Sequence, residues 1–230
     1  MSKPLTQAPD DAGAASTRER LLLTALELYA SQGIKAVSLR TISAAAGSKN
    51  SAAMHYHFGN KAGVIQALVN MIAKELQKLT QDVREQKGQS PSLRDKFRNT
   101  LYPIVQLARY KPWGANAIRF MSRALAEADP EIAAAINPVY ETYWRRIDEN
   151  LALLMPELPD EVRQLRLMFM STNVVHGVAE VANLAYTPLG DLSHINPDEL
   201  LNHLVDYLIG GMKAPSLTTT VPTQEEPPHE

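Results

Sequence analysis

The sequence predicts an all-α protein, with three short helices first and a body of longer helices after them. Apolar residues recur at three- and four-residue spacings along most of the 230-residue chain, which is the period of an amphipathic helix. No segment alternates apolar and polar residues between strand-like bounds, and no Asn-Gly pair indicates a hairpin. We therefore expect about nine helices and no sheet.

The first three helices have recognisable starts and ends. Residues 16–19, with the sequence STRE, form a capping box, and Gly33 supplies the left-handed position that ends the first helix. Ser38 caps a short second helix that ends at Gly47. A third short helix is expected over about residues 51–57.

Longer helices make up the rest of the predicted fold. Their apolar stripes, caps and proline positions predict helices over residues 60–86, 92–110, 115–128, 131–154, 160–185 and 197–212. Pro138 has no backbone N–H to donate to the preceding turn, so we expect a bend or break before it. The helix over residues 160–185 is apolar almost all round, which predicts burial on more than one face.

Both ends of the chain lack helical periodicity. Residues 1–15 are predicted to be a flexible arm, and the Pro-, Thr- and Glu-rich residues 214–230 a disordered tail. Between them, residues 16–61 form one small helical domain and residues 62–213 a larger one.

Composition excludes several classes of protein. The chain is 45% hydrophobic and 21% charged and has no cysteine, which excludes disulfide frameworks, thiolate metal sites and cysteine nucleophiles. No apolar run approaches the ~20 residues that span a bilayer, and no signal peptide is evident. We expect a cytoplasmic protein with no membrane partner and no cofactor.

Positive charge is concentrated in the first small domain. Residues 16–61 contain six basic and two acidic side chains, although the whole chain has a net charge of −2. This bias favours an anionic partner for that segment alone. Two short helices joined by a tight turn, after a longer supporting helix, are also the arrangement of DNA-reading helix-turn-helix domains.

Three motifs in this region resemble the TetR family of transcriptional repressors. They are A-x-x-L-Y-A-x-x-G in the first helix, V-S-L-R-x-I-x-x-x-A-G across the second, and Y-H-F-x-N-K at the start of the fourth, within residues 18–69. The chain departs from the family pattern in a turn one residue longer, around residues 48–50, and in His55 where tyrosine is common. The resemblance implies a helix-turn-helix DNA-binding domain over residues 16–61 and a C-terminal ligand-binding and dimerisation domain.

Polar tips in the predicted helix-turn-helix are the candidate DNA contacts. Phosphates are contacted by hydroxyl, imidazole and cationic side chains, and bases are read by the few side chains that enter the groove. The predicted phosphate contacts are Ser38, Arg40, Thr41, His55, His57 and Lys61. The predicted base contacts are Lys49, Asn50, Ser51 and Ala53, and Tyr56 suits either role. Met54 and Phe58 should point into the core of the small domain.

A metal site at the two histidines is excluded by their spacing. His55 and His57 are two residues apart, so on a helix they do not share a face, whereas helical ligand pairs are spaced by three or four residues.

A polar stripe in the long C-terminal helix has three possible roles. Asn173, His176 and Glu180 are spaced i, i+3, i+7 on an otherwise apolar helix. The stripe is paired internally or across a subunit seam, lines a ligand cavity, or is catalytic. In the family that the chain resembles, such helices enclose an inducer pocket. The predicted lining is Trp113, Phe120, Tyr140, Tyr143, Trp144, Phe169, Asn173 and His176.

The function predicted from these features is that of a ligand-responsive transcriptional regulator, and a repressor is favoured over an activator. It would bind a palindromic double-stranded DNA operator as a homodimer, and a small amphipathic inducer of unknown identity would release it. The last two helices are the expected dimer seam. Two alternatives stay open, an all-helical enzyme that uses His176 and Glu180 and a helical protein-binding adaptor, although we predict no catalytic residues.

Overall fold

A computed structural model describes residues 11–48, 52–85, 92–127, 129–181, 186–188, 190–191 and 194–215. Over these ranges the chain is all-helical, as predicted, and forms nine α-helices. In chain order they are α1 (Asp11–Gln32), α2 (Leu39–Ala45), α3 (Ala52–Phe58), α4 (Lys61–Glu85), α5 (Leu93–Tyr110), α6 (Gly114–Ala126), α7 (Pro130–Leu154), α8 (Asp160–Glu180) and α9 (Pro197–Lys213). None of these described helices is long and apolar enough to cross a membrane.

The first three helices pack on the start of α4 around a small core. α1 contacts α2 and α4, and α3 contacts α2 and α4. Met54 and Phe58 are buried in this core, as predicted from the sequence. Its other buried members include Leu21, Leu22, Ala25, Leu26, Tyr29, Ile34, Val37, Ile42, Val64, Ile65 and Leu68.

The larger part of the molecule is organised around α5 and α6. α5 packs against α4, α6, α8 and α9, and α6 packs against α1, α7 and α8. α6 therefore touches both the N-terminal helices and the C-terminal body. Phe120 of α6 is fully buried and stacks on Tyr29 of α1, with 6.2 Å between ring centroids. The contact between α6 and α1 therefore belongs to the continuous core.

Side-chain caps fix the starts of several helices. Ser92 and Asp95 form a capping box at α5, and the Asp129 carboxylate accepts from the backbone N–H groups of Glu131 and Ile132 at α7. At α9 the Asn196 side chain accepts from the Glu199 N–H. These bonds satisfy amides that have no partner within the helix, which explains why the sequence predicted these starts well.

One expected helix start is wrong, and one expected break is absent. α1 begins at Asp11 rather than Ser16, so residues 11–15 belong to this helix and not to a flexible arm. Alanines in this stretch have high helix propensity and allow the helix to begin ahead of Ser16, so the predicted capping box does not mark its start. α7 continues through Pro138 as one helix, so the expected break is absent, and a bend there stays a prediction. Packing of the helix against α4 and α8 holds it together where one backbone hydrogen bond is absent.

α8 is less buried in the single chain than its composition predicts. Leu165, Met168 and Phe169 are about half exposed, at 51%, 52% and 52%. Leu167, Met170 and Val174 on the other side are buried. The helix thus covers one apolar face within the chain and leaves a second one open.

Candidate nucleic-acid interface

The N-terminal end of α2 presents the first group of predicted DNA contacts. Ser38 caps this helix, and its Oγ accepts from the Thr41 N–H at 3.1 Å and lies 2.8 Å from Thr41 Oγ1. Ser38, Arg40 and Thr41 are all exposed. The structure therefore brings the three together at one accessible helix end.

α3 presents a second polar surface and buries its apolar side chains. Tyr56 is 81% exposed, and its ring meets the ring of His57 edge-on at 5.0 Å between centroids. The Nδ1 of His55 lies 2.8 Å from the carbonyl oxygen of Gly59, so this ring also holds the end of α3. Because Met54 and Phe58 anchor the opposite side, α3 has a fixed outward face with an aromatic and two imidazole tips.

Lys61 points in a different direction from the other predicted phosphate contacts. Its Nζ donates to the carbonyl oxygen of Lys35 at 3.3 Å and lies 5.9 Å from the centre of the Tyr29 ring. Burial lowers the pKa of Lys61, and the nearby carboxylates of Glu127 and Asp129 oppose this shift. A phosphate contact would require the ammonium to leave the Lys35 carbonyl, so the role stays a prediction.

The remaining predicted base contacts lie mostly outside the residues that the structure describes. Ala53 is half-buried on α3 and packs against the core. Lys49, Asn50 and Ser51 lie outside the described residues, so their predicted roles stay predictions. In the described part of the chain, no three His, Cys, Asp or Glu side chains form a group able to hold a metal ion.

Two side chains of α6 hold the end of α1 and the connection that follows it. Arg123 donates from Nε to the carbonyl oxygen of Ala30 at 2.7 Å and from a terminal nitrogen to that of Ser31 at 3.2 Å. Carbonyls in the last turn of a helix have no partner within the helix, and a cation there also complements the helix dipole. Arg123, a side chain of α6, thus caps the C-terminal end of α1.

Glu127, the C-cap residue of α6 one turn after Arg123, binds the adjoining backbone amides. Its carboxylate accepts from the Ile34 N–H at 2.6 Å and from the Lys35 N–H at 3.1 Å. Gly33 has a φ of +91°, and a Cβ at this position would lie 3.2 Å from a Glu127 carboxylate oxygen. We call Arg123, Glu127 and the backbone groups of residues 30–35 the junction clamp.

The junction clamp was not predicted from the sequence. Arg123 and Glu127 are spaced i, i+4 on an amphipathic helix, and such pairs are usually solvent-exposed ion pairs. Their partners are backbone groups about ninety residues earlier in the chain. No local pattern identifies such partners, because backbone groups carry no residue-type signal.

The body contains a mainly apolar cavity between α7 and α8. Its volume is about 370 Å³, and its wall includes Tyr140, Trp144, Leu167, Met168 and Ser171, with charged side chains at its edge. Burial raises the pKa of Tyr140, and hydrogen bonds with Ser171 and Trp144 oppose this shift. Sites for small ligands commonly have this size and mainly apolar character.

A second, polar cavity lies where α1, α6 and α8 meet. Its volume is about 490 Å³. The lining residues are Ala30, Ser31, Arg119, Ser122, Arg123, Ala126, His176 and Glu180. We call it the junction cavity.

The structure does not bring the eight predicted pocket residues into one cavity. Tyr140 and Trp144 line the apolar cavity, and their rings lie 5.2 Å apart. His176 instead lines the junction cavity, where its Nδ1 lies 2.6 Å from Ser122 Oγ. Phe169 is half exposed on the open face of α8, as is Asn173, whose amide donates to the Phe169 carbonyl at 2.8 Å.

The other three predicted pocket residues serve packing. Phe120 is fully buried against Tyr29, and Trp113 is half-buried at the start of α6. The Tyr143 hydroxyl donates to the Thr100 carbonyl at 2.9 Å, and burial raises the pKa of Tyr143. Whether a ligand binds to any of these residues stays a prediction.

Two family models match this chain over most of its helical length. Residues 21–68 match the model of bacterial regulatory proteins of the tetR family. Residues 98–211 match the model of the tetracyclin repressor-like C-terminal domain. The chain belongs to the TetR family.

Solved structures of TetR-type regulators share the fold of this TetR-family chain. A TetR-like transcriptional regulator from Rhodococcus sp. RHA1 is 14% identical and superposes with a TM-score of 0.62; the alignment covers 90% of this chain and 98% of the Rhodococcus chain. The fatty acid degradation regulator FadR from Bacillus halodurans is 17% identical with a TM-score of 0.59, covering 91% and 99%. NalD, the secondary repressor of the MexAB-OprM multidrug efflux pump in Pseudomonas aeruginosa, is 19% identical with a TM-score of 0.56, covering 87% and 97%.

Family membership decides between the classes that the sequence left open. TetR-family proteins are transcriptional regulators and not enzymes, with a helix-turn-helix DNA-binding domain and a ligand-binding C-terminal domain. In this TetR-family chain the DNA-binding domain corresponds to α1–α3 with the start of α4.

Proposed function

We propose that this chain is a repressor that binds a palindromic operator as a homodimer in the cytoplasm and is released by a small amphipathic molecule. The observation that carries the proposal is the outward face of α2 and α3, where hydroxyl, guanidinium, imidazole and phenol groups are exposed above a buried apolar core. Such groups bind phosphates and base edges. The description of NalD as a repressor favours repression over activation.

Within this proposal the DNA contacts keep the roles given by the sequence. Backbone phosphates are contacted by Ser38, Arg40, Thr41, His55, His57 and Lys61, and bases by Lys49, Asn50, Ser51 and Ala53. Tyr56, the most exposed aromatic of α3, serves either purpose. Because one recognition helix reads only a few base pairs, two copies are needed to select an operator.

The open face of α8 supports the homodimer. Leu165, Met168, Phe169 and Thr172 share one side of the helix and are exposed in the single chain, and Tyr207 of the adjoining α9 is 63% exposed. Contiguous exposed apolar surface of this kind favours association. A Cβ at Gly210 or Gly211 would meet nothing within 4 Å, which leaves room for a partner helix to approach closely.

The apolar cavity between α7 and α8 supports an amphipathic ligand. Tyr140, Trp144, Leu167 and Met168 would cover an aromatic ring or acyl chain, and Ser171 would bind a polar group. FadR is described as a regulator of fatty acid degradation, which agrees with an acyl ligand for a protein of this fold. A coupling of ~1–3 kcal/mol between ligand and operator would reduce DNA affinity by about 5- to 150-fold.

The DNA-binding part is tested with a duplex from the region upstream of the protein's own gene. Fluorescence anisotropy should show tighter binding to this duplex than to a scrambled duplex of the same length and composition, with binding of both weakened by salt. Equal affinity for the two duplexes at every salt concentration would contradict specific operator recognition.

The dimer is tested by light scattering with two matched variants. Phe169→Glu puts a charge on the proposed seam, and Tyr110→Glu puts one on an exposed aromatic of α5 outside it. We expect the wild type and Tyr110→Glu to be dimers at micromolar concentration and Phe169→Glu to be a monomer. A wild-type monomer would contradict the proposed homodimer.

The ligand part is tested with tryptophan fluorescence. In a Trp113→Phe variant the remaining tryptophan, Trp144, lines the apolar cavity and reports on its occupancy. Titration with acyl and aromatic compounds should change this fluorescence and release operator DNA over the same concentration range. Compounds that release DNA without any change at Trp144 would contradict this cavity as the inducer site.

A further inference from the structure

We propose that the junction cavity is a second ligand site, which takes a small organic anion carrying a carboxylate and a hydrogen-bond donor. The junction cavity is distinct from the apolar cavity, because the two have no lining residue in common. Its volume of about 490 Å³ lies within the range of small-molecule sites.

The charges of the lining define the class of ligand. Arg119 and Arg123 project from successive turns of α6, and Glu180 is the single acidic side chain in the wall. The two arginines and Glu180 together give the wall one excess positive charge. Guanidinium groups bind carboxylates through paired, parallel hydrogen bonds, which a neutral ligand cannot replace.

The opposite side of the cavity supplies groups for the rest of the molecule. Ser122 and His176 are hydrogen-bonded to each other at 2.6 Å, and Glu180 lies one turn beyond His176 on α8. The Glu180 carboxylate accepts hydrogen bonds and favours a hydroxyl or amino group at that end. A hydroxy or amino acid therefore fits the wall better than a simple fatty acid, which would leave Glu180 facing an apolar chain.

Occupancy of this cavity would act directly on the DNA-binding domain. Arg123 is a member of the junction clamp and also lines the cavity. A carboxylate oxygen that accepts the same terminal N–H of Arg123 that now donates to the Ser31 carbonyl would break that hydrogen bond. The end of α1 would lose one of its ties to α6, so the ligand would weaken operator binding without entering the apolar cavity.

The direct test is calorimetric titration of the full-length protein with L-malate, a hydroxy dicarboxylate. Wild-type protein should give saturable heat below about 10 mM, which corresponds to weak but specific binding. Malamide, the neutral diamide, should give none, and inorganic phosphate should bind at least about tenfold more weakly. No saturable heat from malate, or equal binding of phosphate, would overturn the assignment.

Variants locate the binding. Arg119→Gln should weaken malate binding by at least about tenfold. Arg119→Lys should weaken it less, because lysine keeps the positive charge and loses only the paired N–H donors of the guanidinium group. Ala126→Leu fills the cavity without changing its charge and should abolish binding even if the Arg119 variants fold poorly. Arg94→Gln, which removes an exposed arginine paired with Asp206 on another face, serves as the control and should bind malate normally. Unchanged binding by both Arg119→Gln and Ala126→Leu would overturn the site.

The effect on DNA rests on the proposed function and is measured separately. Malate should lower operator affinity in wild-type protein but not in Ala126→Leu. If the protein binds malate at this cavity but binds no operator DNA, the proposed repressor function fails and the ligand site stands. If operator binding is specific and malate leaves it unchanged or tightens it, the competition for Arg123 is overturned.

Discussion

Removal of the Glu127 carboxylate tests whether the junction clamp stabilises the N-terminal domain. The Ile34 N–H belongs to a fully buried residue and donates to this carboxylate at 2.6 Å, whereas the Lys35 N–H, at 3.1 Å, is exposed. In Glu127→Ala water can replace the acceptor at Lys35, but the buried amide of Ile34 loses a charged partner. Hydrogen bonds to charged groups contribute about 1.5–3 kcal/mol, so we expect a loss of about 2–3 kcal/mol of unfolding free energy.

A graded pair of variants separates the charge from the hydrogen bond. Glu127→Gln keeps one carbonyl oxygen as an acceptor and loses the negative charge, so we expect about half of the loss seen for alanine. Glu149→Ala removes an exposed carboxylate of α7 and is the control, with an expected change below about 0.5 kcal/mol.

Urea unfolding followed by far-ultraviolet circular dichroism measures these differences. All proteins are compared at one concentration, because association of subunits would shift the transition. The slope of free energy against urea should be the same for each variant, so that midpoint shifts report stability alone. If Glu127→Ala unfolds within about 0.5 kcal/mol of wild type, like the Glu149→Ala control, the clamp does not stabilise the domain.

Three further predictions concern single side chains. The Tyr29 hydroxyl is buried with no hydrogen-bond partner among the described residues, so Tyr29→Phe should raise the unfolding free energy by about 1 kcal/mol at neutral pH. Burial raises the pKa of Tyr29, so the unfolded chain releases the phenol proton at a lower pH than the folded chain does. The stability of the wild type should therefore fall above pH ~10, and that of Tyr29→Phe should fall less. Wild type and Tyr29→Phe with identical urea midpoints at neutral pH and above pH ~10 would contradict this. Arg40→Ala should weaken binding to all duplexes alike and lower the salt slope by about one in anisotropy titrations, and an unchanged slope would remove Arg40 from the phosphate contacts. His176→Leu removes the bond to Ser122 in the junction cavity and should reduce malate-induced release of operator DNA more than ligand-free DNA affinity in anisotropy titrations; an unchanged malate response would contradict a role for His176 in that cavity.

Local signals in the sequence determined the helices and the DNA-binding domain. Ser38, Ser92 and Asn196 cap helices in the structure because a short polar side chain bonds to amides only two or three residues away. The burial of Met54 and Phe58 is also a local signal, because residues four apart lie on the same face of a helix. The motifs of residues 18–69 carried the family resemblance, because the DNA-binding domain depends on side chains close together in sequence.

Tertiary structure alone decided which side chains meet between distant helices. Phe120 and Phe169 are both aromatic residues on amphipathic helices, yet one is fully buried against Tyr29 and the other is half exposed. Helical period fixes the face on which a residue lies but not the helix that covers that face. The ties of Arg123 and Glu127 to the end of α1 are equally invisible in the sequence, because their partners are backbone groups that every residue possesses.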